Sequence, residues 1–217
     1  MSEVAPAPVL ANTKPVYWDE ACRVLRSRDA VIGAVMERCG PVHLLRRGDP
    51  FQTLARAIVG QQISVKAAQA VWQRFAERCG EVTPQRVARM RTSTALACGF
   101  SQRKAEYVKD LASHFVRGRI DPAHWDALDD ESLIEQLVEV RGIGRWTAEM
   151  FLIFNLQRPD VFPVDDLGIL RAIGIHYRDA SKVSRDEAKA IAERWRPWRT
   201  VASWYLWRSL DPLPVEH

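Results

Sequence analysis

The stretch Leu137-Val-Glu-Val-Arg-Gly-Ile-Gly-Arg-Trp-Thr-Ala148 contains two glycines, Gly142 and Gly144, that flank one apolar residue between two helical patterns. Glycine adopts positive φ and lets another chain approach its backbone closely, so this spacing predicts a very tight helix–hairpin–helix turn. The start of the second helix would present backbone N–H groups, and the helix dipole favours an anion there. The pattern therefore indicates a site for a DNA phosphate; the alternative is an ordinary turn whose glycines serve packing.

Helical periodicity dominates the rest of the chain. Apolar residues recur at helical spacing from Val65 to Arg78, and Gly80 is a typical helix stop. Thr83-Pro84 predicts the next helix start. Further helices are predicted after Ser101, after Asp130 or its neighbours, from 145 to 155, after Asp165-Asp166, from 185 to 195 and from 198 to 210. We find no alternating strand of useful length, so the predicted fold class is all-α.

Composition gives weaker information. Apolar residues make up 47% and charged residues 27% of the chain, which is typical of a soluble globular protein. The net charge of +4 is compatible with a polyanionic partner but does not identify one. The four cysteines show no C-x-x-C spacing, and none follows Cys98, so we expect reduced thiols and no iron–sulfur cluster. No apolar run is long enough to span a membrane, and we expect a cytoplasmic, nucleoid-associated protein.

The hairpin stretch, followed by Phe-Pro-Val-Asp-Asp at residues 162–166, resembles the helix–hairpin–helix–GPD superfamily of DNA glycosylases. Within it, the alkylpurine branch of 3-methyladenine DNA glycosylase II (AlkA-type) enzymes is the most similar. The resemblance runs from about Phe51, through Gly60-Gln-Gln-Ile-Ser-Val65, to Trp207. Some members carry an N-terminal β-rich domain, for which this chain has no room, so the resemblance implies a short form.

The resemblance implies a function. It implies an enzyme that flips an alkylated purine of the 3-methyladenine or 7-methylguanine class out of duplex DNA. Hydrolysis of the N-glycosidic bond would then leave an abasic site, as a step of base excision repair. Two alternatives stay open: a glycosylase for another damaged base, oxidised or deaminated, and a non-catalytic helix–hairpin–helix DNA-binding module.

The resemblance places the catalytic carboxylate at Asp166, because Arg171 then falls at the family's helix spacing. Breaking an N-glycosidic bond builds positive charge on the sugar, and a fixed carboxylate stabilises that charge and orients the attacking water. The alternative is that Asp165 and Asp166 only cap a helix, which is a common use of aspartate. We expect Asp165 to be the cap and Asp166 to be catalytic.

Position 146 distinguishes two kinds of glycosylase. Members of this superfamily that also cut the strand carry a lysine just after the hairpin, whose amine forms a Schiff base with the sugar. This chain has Trp146 there, so the resemblance implies a monofunctional enzyme. Lys104 is the nearest alternative amine, and nothing in the sequence marks it as a nucleophile.

The resemblance also assigns residues around the base. A base pocket is implied at Trp146, Trp207, Met150 and Leu167, and indole rings suit the cationic base that N-alkylation produces. Some relatives have tyrosine at the last two positions, which puts the substrate range in doubt. Gln62 stands where relatives have a residue that intercalates into the gap left by the flipped base; the alternative is a surface glutamine. We expect Trp195, Trp198 and Trp204 to serve packing.

Contacts with the DNA backbone are expected at Gly142, Gly144, Arg145, Thr147 and Arg103. The resemblance allows a structural Na⁺ or K⁺ at the backbone carbonyls of Val138, Val140 and Ile143, and no cofactor is otherwise required. We expect a monomer that binds double-stranded DNA containing damaged bases and no membrane. Two helical lobes with a DNA-binding cleft are expected: residues 50–160, with six helices and the hairpin, and residues 16–49 together with 161–217. Residues 1–15 are predicted to form a disordered lead-in.

Overall fold

A computed structural model describes residues 13–211, so most of the predicted lead-in lies outside the described residues. Within this range every regular element is helical, which confirms the all-α prediction. The α-helices are α1 (Trp18–Arg28), α2 (Ala30–Cys39), α3 (Pro50–Gly60), α4 (Val65–Cys79), α5 (Pro84–Arg89), α6 (Thr92–Ala97), α7 (Gln102–Val116), α8 (Asp130–Val138), α9 (Arg145–Phe154), α10 (Leu167–Tyr177), α11 (Arg185–Ala192) and α12 (Arg199–Arg208). Short 3-10 helices cover Pro122–Ala127 and Glu193–Trp195. No helix in the described range is both long and apolar enough to cross a bilayer.

The described chain divides into two compact units. The first unit contains Arg47–Phe151, and the second contains the described parts of Ala11–Arg46 and Leu152–His217. The division between the units therefore falls at residue 47 and within α9. The predicted lobes had their boundaries at residues 50 and 160.

Side-chain caps explain where several helices begin. The Ser64 hydroxyl accepts the Ala67 N–H at the start of α4, and the Thr83 hydroxyl does the same for Arg86 before Pro84 opens α5. Each such cap satisfies a backbone donor that the first helical turn leaves without a partner. Gly80 ends α4 with a φ of +73°, and the predicted start at Thr83-Pro84 is confirmed.

The first unit packs around α7. Its buried face, with Val108 and Leu111, contacts α3 and α5. Aromatic side chains extend this core, and the ring of Phe51 meets that of Phe115 edge to face at 5.4 Å between centroids. Ring pairs of this kind bury a large apolar area and add a specific geometry.

The second unit packs around tryptophans. Trp18 and Trp195 are fully buried and Trp204 is nearly so, which confirms the packing role predicted for the last two. Trp198 stacks on Tyr17 with 5.5 Å between the ring centroids. The helix predicted over 185–195 ends at Ala192 and continues as a 3-10 turn.

Candidate active site

The surroundings of the two hairpin glycines differ. Gly142 has a φ of +92°, and a Cβ added there would lie 2.3 Å from Cδ2 of Tyr107. No side chain can be accommodated at that distance, so the turn requires glycine at position 142. A Cβ added at Gly144 would meet no atom within 4 Å. Its backbone, at the start of α9, is therefore open to approach by a ligand from outside the first unit.

Arg145 is held by two carboxylates of the first unit. Its guanidinium makes a bidentate contact with Glu131, at 2.6 and 2.7 Å, and a further hydrogen bond of 3.1 Å to Glu149. The hydrogen bonds that Arg145 donates to Glu131 raise the pKa of Arg145 above its usual range. A phosphate contact at Arg145, predicted from the sequence, would have to compete with these ion pairs. Arg103 is exposed and Thr147 is half-buried.

The loop between α3 and α4, residues 61–64, lies against the hairpin. Nε2 of Gln61 donates to the carbonyl of Gly142 at 2.8 Å. Nζ of Lys104 donates to the carbonyls of Val59, at 2.8 Å, and Gln61, at 2.6 Å. Burial lowers the pKa of Lys104. Gln62 is exposed and has a φ of +58°, a left-handed conformation that costs energy for a residue other than glycine.

The first unit also places the predicted pocket residues of α9. The Trp146 side chain is 47% exposed, which is high for a tryptophan. Met150, one helical turn later, lines a cavity of about 670 Å³ together with residues of α3 and α4, among them Arg56 and Trp72. The guanidinium of Arg56 lies over the Trp72 ring at 4.7 Å. Arg56 and Trp72 were not predicted as site residues, since neither lies in a recognisable motif.

The second unit fixes the Asp166 carboxylate. Asp166 is the N-cap of α10, and its Oδ1 accepts the Ile169 N–H at 2.9 Å. The same oxygen accepts the indole Nε1–H of Trp207 at 2.8 Å. The expectation that Asp165 is the cap is wrong, because Asp165 instead forms an ion pair with Arg185. The two donors give the Asp166 carboxylate a defined position.

Gly168 permits this arrangement. A Cβ at that position would lie 3.0 Å from Oδ1 of Asp166 and 3.3 Å from Cδ1 of Trp207. The Trp207 ring stacks on Phe154, with 5.7 Å between centroids. Leu167 is 81% exposed beside the carboxylate. Gly168 was not predicted as a site residue, because its only signal in the sequence is its place two residues after Asp166.

The predicted cation ligands lie at the end of α8 and in the hairpin. The Val140 carbonyl accepts the Ile143 N–H at 3.0 Å, which closes the turn. Within residues 13–211 there is no group of three or more His, Cys, Asp or Glu side chains that could hold a metal ion. The four cysteines are free thiols.

Known proteins share both sequence and fold with this chain. A family model described as "HhH-GPD superfamily base excision DNA repair protein" matches residues 55–197. DNA-3-methyladenine glycosylase 1 of Schizosaccharomyces pombe is 37% identical over 78% of this chain and 76% of its own length. The crystal structure of a DNA-3-methyladenine glycosidase from Bacillus halodurans aligns with a TM-score of 0.82 and 31% identity, covering 93% of this chain and 91% of that one.

A second solved structure shows a relative on DNA. The 3-methyladenine DNA glycosylase of Schizosaccharomyces pombe, in complex with abasic DNA, aligns with a TM-score of 0.74 and 35% identity. The alignment covers 87% of this chain and 95% of that one. The match of the family model, the identity to these relatives and the shared helical fold agree: the chain belongs to the HhH-GPD superfamily of base excision DNA repair proteins.

Proposed function

We propose that this chain is a monofunctional DNA glycosylase that excises alkylated purines of the 3-methyladenine or 7-methylguanine class and leaves an abasic site. The observation that carries the proposal is the Asp166 carboxylate, held at the start of α10 by the Ile169 N–H and the Trp207 Nε1–H. The names of the similar proteins, DNA-3-methyladenine glycosylases from several organisms, support the same substrate class.

The proposed chemistry requires little more than a fixed carboxylate. As the N-glycosidic bond breaks, positive charge develops on the sugar, and a nearby carboxylate stabilises that charge. Asp166 also orients the water that attacks the sugar carbon. An N-alkylated purine is cationic and leaves readily, so no strong acid is needed. Because two N–H donors already hold Asp166, little reorganisation is required when the charge appears.

Two observations support hydrolysis without strand cleavage. Position 146 carries an indole, which cannot form a Schiff base. Lys104, the alternative amine, has its ammonium group on two backbone carbonyls of the first unit. An ammonium group whose protons point at carbonyl oxygens has no lone pair directed at a sugar.

Aromatic and apolar side chains are proposed to contact the base. Trp146 and Met150 lie one helical turn apart on α9 of the first unit, while Trp207 and Leu167 belong to the second unit, where Trp207 donates to the Asp166 carboxylate. The indole of Trp146 is half-exposed, and an indole ring suits a cationic base. Gln62, exposed in the loop that lies against the hairpin, is proposed to fill the gap in the duplex after flipping.

We also propose that Na⁺ or K⁺ binds the carbonyls of Val138, Val140 and Ile143. The ligand types fit, because carbonyl oxygens suit a hard cation, and Val138 ends α8, where helix carbonyls carry partial negative charge. A bound cation would add positive charge beside the hairpin. The protein is proposed to act as a monomer on double-stranded DNA, and light scattering of the free and DNA-bound protein checks its mass.

Base release from a lesion panel tests the proposed function. Purified protein is incubated with duplexes that carry one alkylated, oxidised or deaminated base, and free bases are identified by mass spectrometry. We expect release of alkylpurines. Release of only oxidised or deaminated bases would favour the first alternative, and no release with retained DNA binding would favour the non-catalytic module.

Borohydride trapping tests the monofunctional assignment. Under sodium borohydride an enzyme that forms a Schiff base becomes covalently attached to DNA, whereas a hydrolytic enzyme does not. We expect no trapped protein–DNA adduct on gels under conditions that give full base release. A trapped adduct would show that an amine of this chain attacks the sugar.

A further inference from the structure

One face of α7 supports the loop that carries Gln62. Lys104, Tyr107 and Asp110 are spaced three residues apart, so their side chains follow one face of the helix. The first of them, Lys104, donates to the carbonyls of Val59 and Gln61 at the end of α3. A lysine on the last carbonyls of a helix satisfies acceptors without helical partners and complements the helix dipole.

The same face of α7 supports the hairpin. The Tyr107 ring lies against Gly142, where even a methyl group would overlap it. Oδ2 of Asp110 accepts the Arg141 N–H at 3.0 Å and lies 3.6 Å from the Arg141 guanidinium. On this one face of α7, Lys104 therefore contacts the 59–61 segment, while Tyr107 and Asp110 contact the hairpin turn.

Gln61 joins these two supported elements directly. Its backbone carbonyl accepts from Lys104, while its side-chain Nε2 donates to the Gly142 carbonyl at 2.8 Å. The peptide that precedes Gln62 is thus fixed to α7 on one side and to the hairpin on the other. Gln62 itself holds the left-handed conformation given above, which persists only where neighbouring contacts impose it.

We propose that Lys104 is a positioning residue for base flipping, which orders the Gln62 loop against the hairpin before DNA binds. The proposal rests on the proposed function. A hairpin held on a phosphate then places Gln62 at a fixed distance from the duplex. Since the loop is already ordered, inserting Gln62 costs less conformational entropy at the moment when the base leaves the stack.

The test compares Lys104→Met with wild type, with Lys104→Arg and with Lys109→Met. Methionine keeps most of the length of the side chain but removes both hydrogen bonds. Arginine restores donors, and Lys109→Met removes an equal charge elsewhere on α7. Flipping is followed by the fluorescence of 2-aminopurine placed beside a 7-methylguanine, and excision by single-turnover base release. Binding to an undamaged duplex of the same sequence reports backbone contacts.

For Lys104→Met we expect flipping and excision to slow by roughly tenfold, since two charge-assisted hydrogen bonds are lost. Affinity for the undamaged duplex should stay within about twofold of wild type, and its salt slope should not change, because Lys104 meets carbonyls and not phosphates. Lys104→Arg should recover most of the rate, and Lys109→Met should match wild type.

Several outcomes would overturn the proposal. The proposal fails if Lys104→Met flips the base at the wild-type rate. It also fails if the slope of log affinity against log salt concentration falls by about 1 in that variant, because this marks a direct phosphate contact. If Lys104→Met folds poorly, Gln61→Met tests the same link by removing only the bond to Gly142, and unchanged flipping there would also contradict the proposal. If wild-type protein releases no base, the proposed function fails, while the fluorescence signal still reports on Lys104.

Discussion

At the scale of single residues, Asp166 combines two uses that the sequence presents as alternatives. An aspartate at a helix start is ordinarily a cap, and here Asp166 does cap α10. The cap bond and the Trp207 indole together determine where the carboxylate lies. The capping role therefore contributes to the proposed catalytic role, since a carboxylate with a fixed position stabilises charge better than a mobile one.

Asp166→Asn separates these two uses. Asparagine is as good a cap as aspartate, so the variant should fold and bind DNA like wild type. Without the negative charge, single-turnover excision should fall by about a hundredfold or more. Base release and DNA affinity are measured side by side. An asparagine variant with full activity would refute the assignment of Asp166.

The two hairpin glycines provide a matched pair of variants. Gly142→Ala places a methyl group on Tyr107 in a positive-φ position, and we expect a loss of about 3 kcal/mol in the free energy of unfolding. Gly144→Ala places its methyl group in open space and should leave the free energy of unfolding nearly unchanged. The same variant should weaken DNA binding if a phosphate approaches that backbone. Urea unfolding and fluorescence anisotropy measure the two effects.

At the scale of helices and their ends, Asp29 is a helix cap whose carboxylate is buried. It is only 4% exposed and caps α2 through the N–H groups of Val31 and Ile32. Its Oδ2 also accepts the Tyr177 hydroxyl and the Trp195 indole N–H, each at 2.9 Å. One carboxylate thus joins α2, α10 and the 3-10 turn before residue 196.

Asp29→Ala should cost about 3 kcal/mol in the free energy of unfolding, because it removes a cap and leaves buried donors without an acceptor. Asp129→Ala is the control, since Asp129 caps α8 in an exposed position, where it accepts the N–H and the hydroxyl of Ser132. In chemical denaturation, the free energy of unfolding should fall clearly less for Asp129→Ala than for Asp29→Ala. Equal losses would show that burial of the Asp29 network adds nothing to the cap.

A second contact between elements predicts pH dependence. The His176 Nε2 lies 2.8 Å from the Ser209 hydroxyl oxygen, which itself donates to Leu206, while Nδ1 lies 3.3 Å from the Arg38 guanidinium. These partners fit a neutral ring that donates from Nε2 and accepts at Nδ1. Burial and, secondarily, the charge of Arg38 lower the pKa of His176 from its usual value of 6.5.

Because the unfolded chain binds a proton more readily than the folded one, this histidine favours folding above pH 6.5 and opposes it as the pH falls below that value. His176→Gln cannot be protonated. Thermal unfolding at pH 7.5 and pH 5 should therefore show a smaller decrease in Tm for the variant than for wild type. An equal decrease in both proteins would contradict the neutral, hydrogen-bonded ring.

Local signals explain which elements the sequence could predict. Helix starts at Thr83 and Ser101 and the stop at Gly80 depend on neighbouring residues, and the structure confirms them. The role of Lys104 depends on carbonyls 43 and 45 residues away in the chain. The i, i+3 spacing along α7 is visible in the sequence, but it does not reveal which segments pack against that face.

At the scale of the whole molecule, charge shows the same dependence on tertiary structure. The net charge of +4 suggests a polyanion partner only weakly. Several arginines are paired with carboxylates inside their own unit, as Arg145 is with Glu131 and Arg199 is with Asp160. Paired cations contribute less to phosphate binding, so backbone N–H groups at the hairpin gain importance. The family could be predicted from the hairpin and Asp166 motifs. The side chains that hold these two motifs in place could be identified only in the structure.

The empty space beside Gly144 also makes that position useful as a reporter site. The Cβ of a cysteine placed there would meet no protein atom within 4 Å, whereas Cys22 and Cys98 are buried and the other two natural thiols are half-buried. Thiol reagents act on accessible groups first, so a label would attach preferentially at position 144. The rate at which a small thiol reagent modifies this cysteine, measured with and without DNA, would show whether DNA covers the hairpin, without disturbing the fold that holds it.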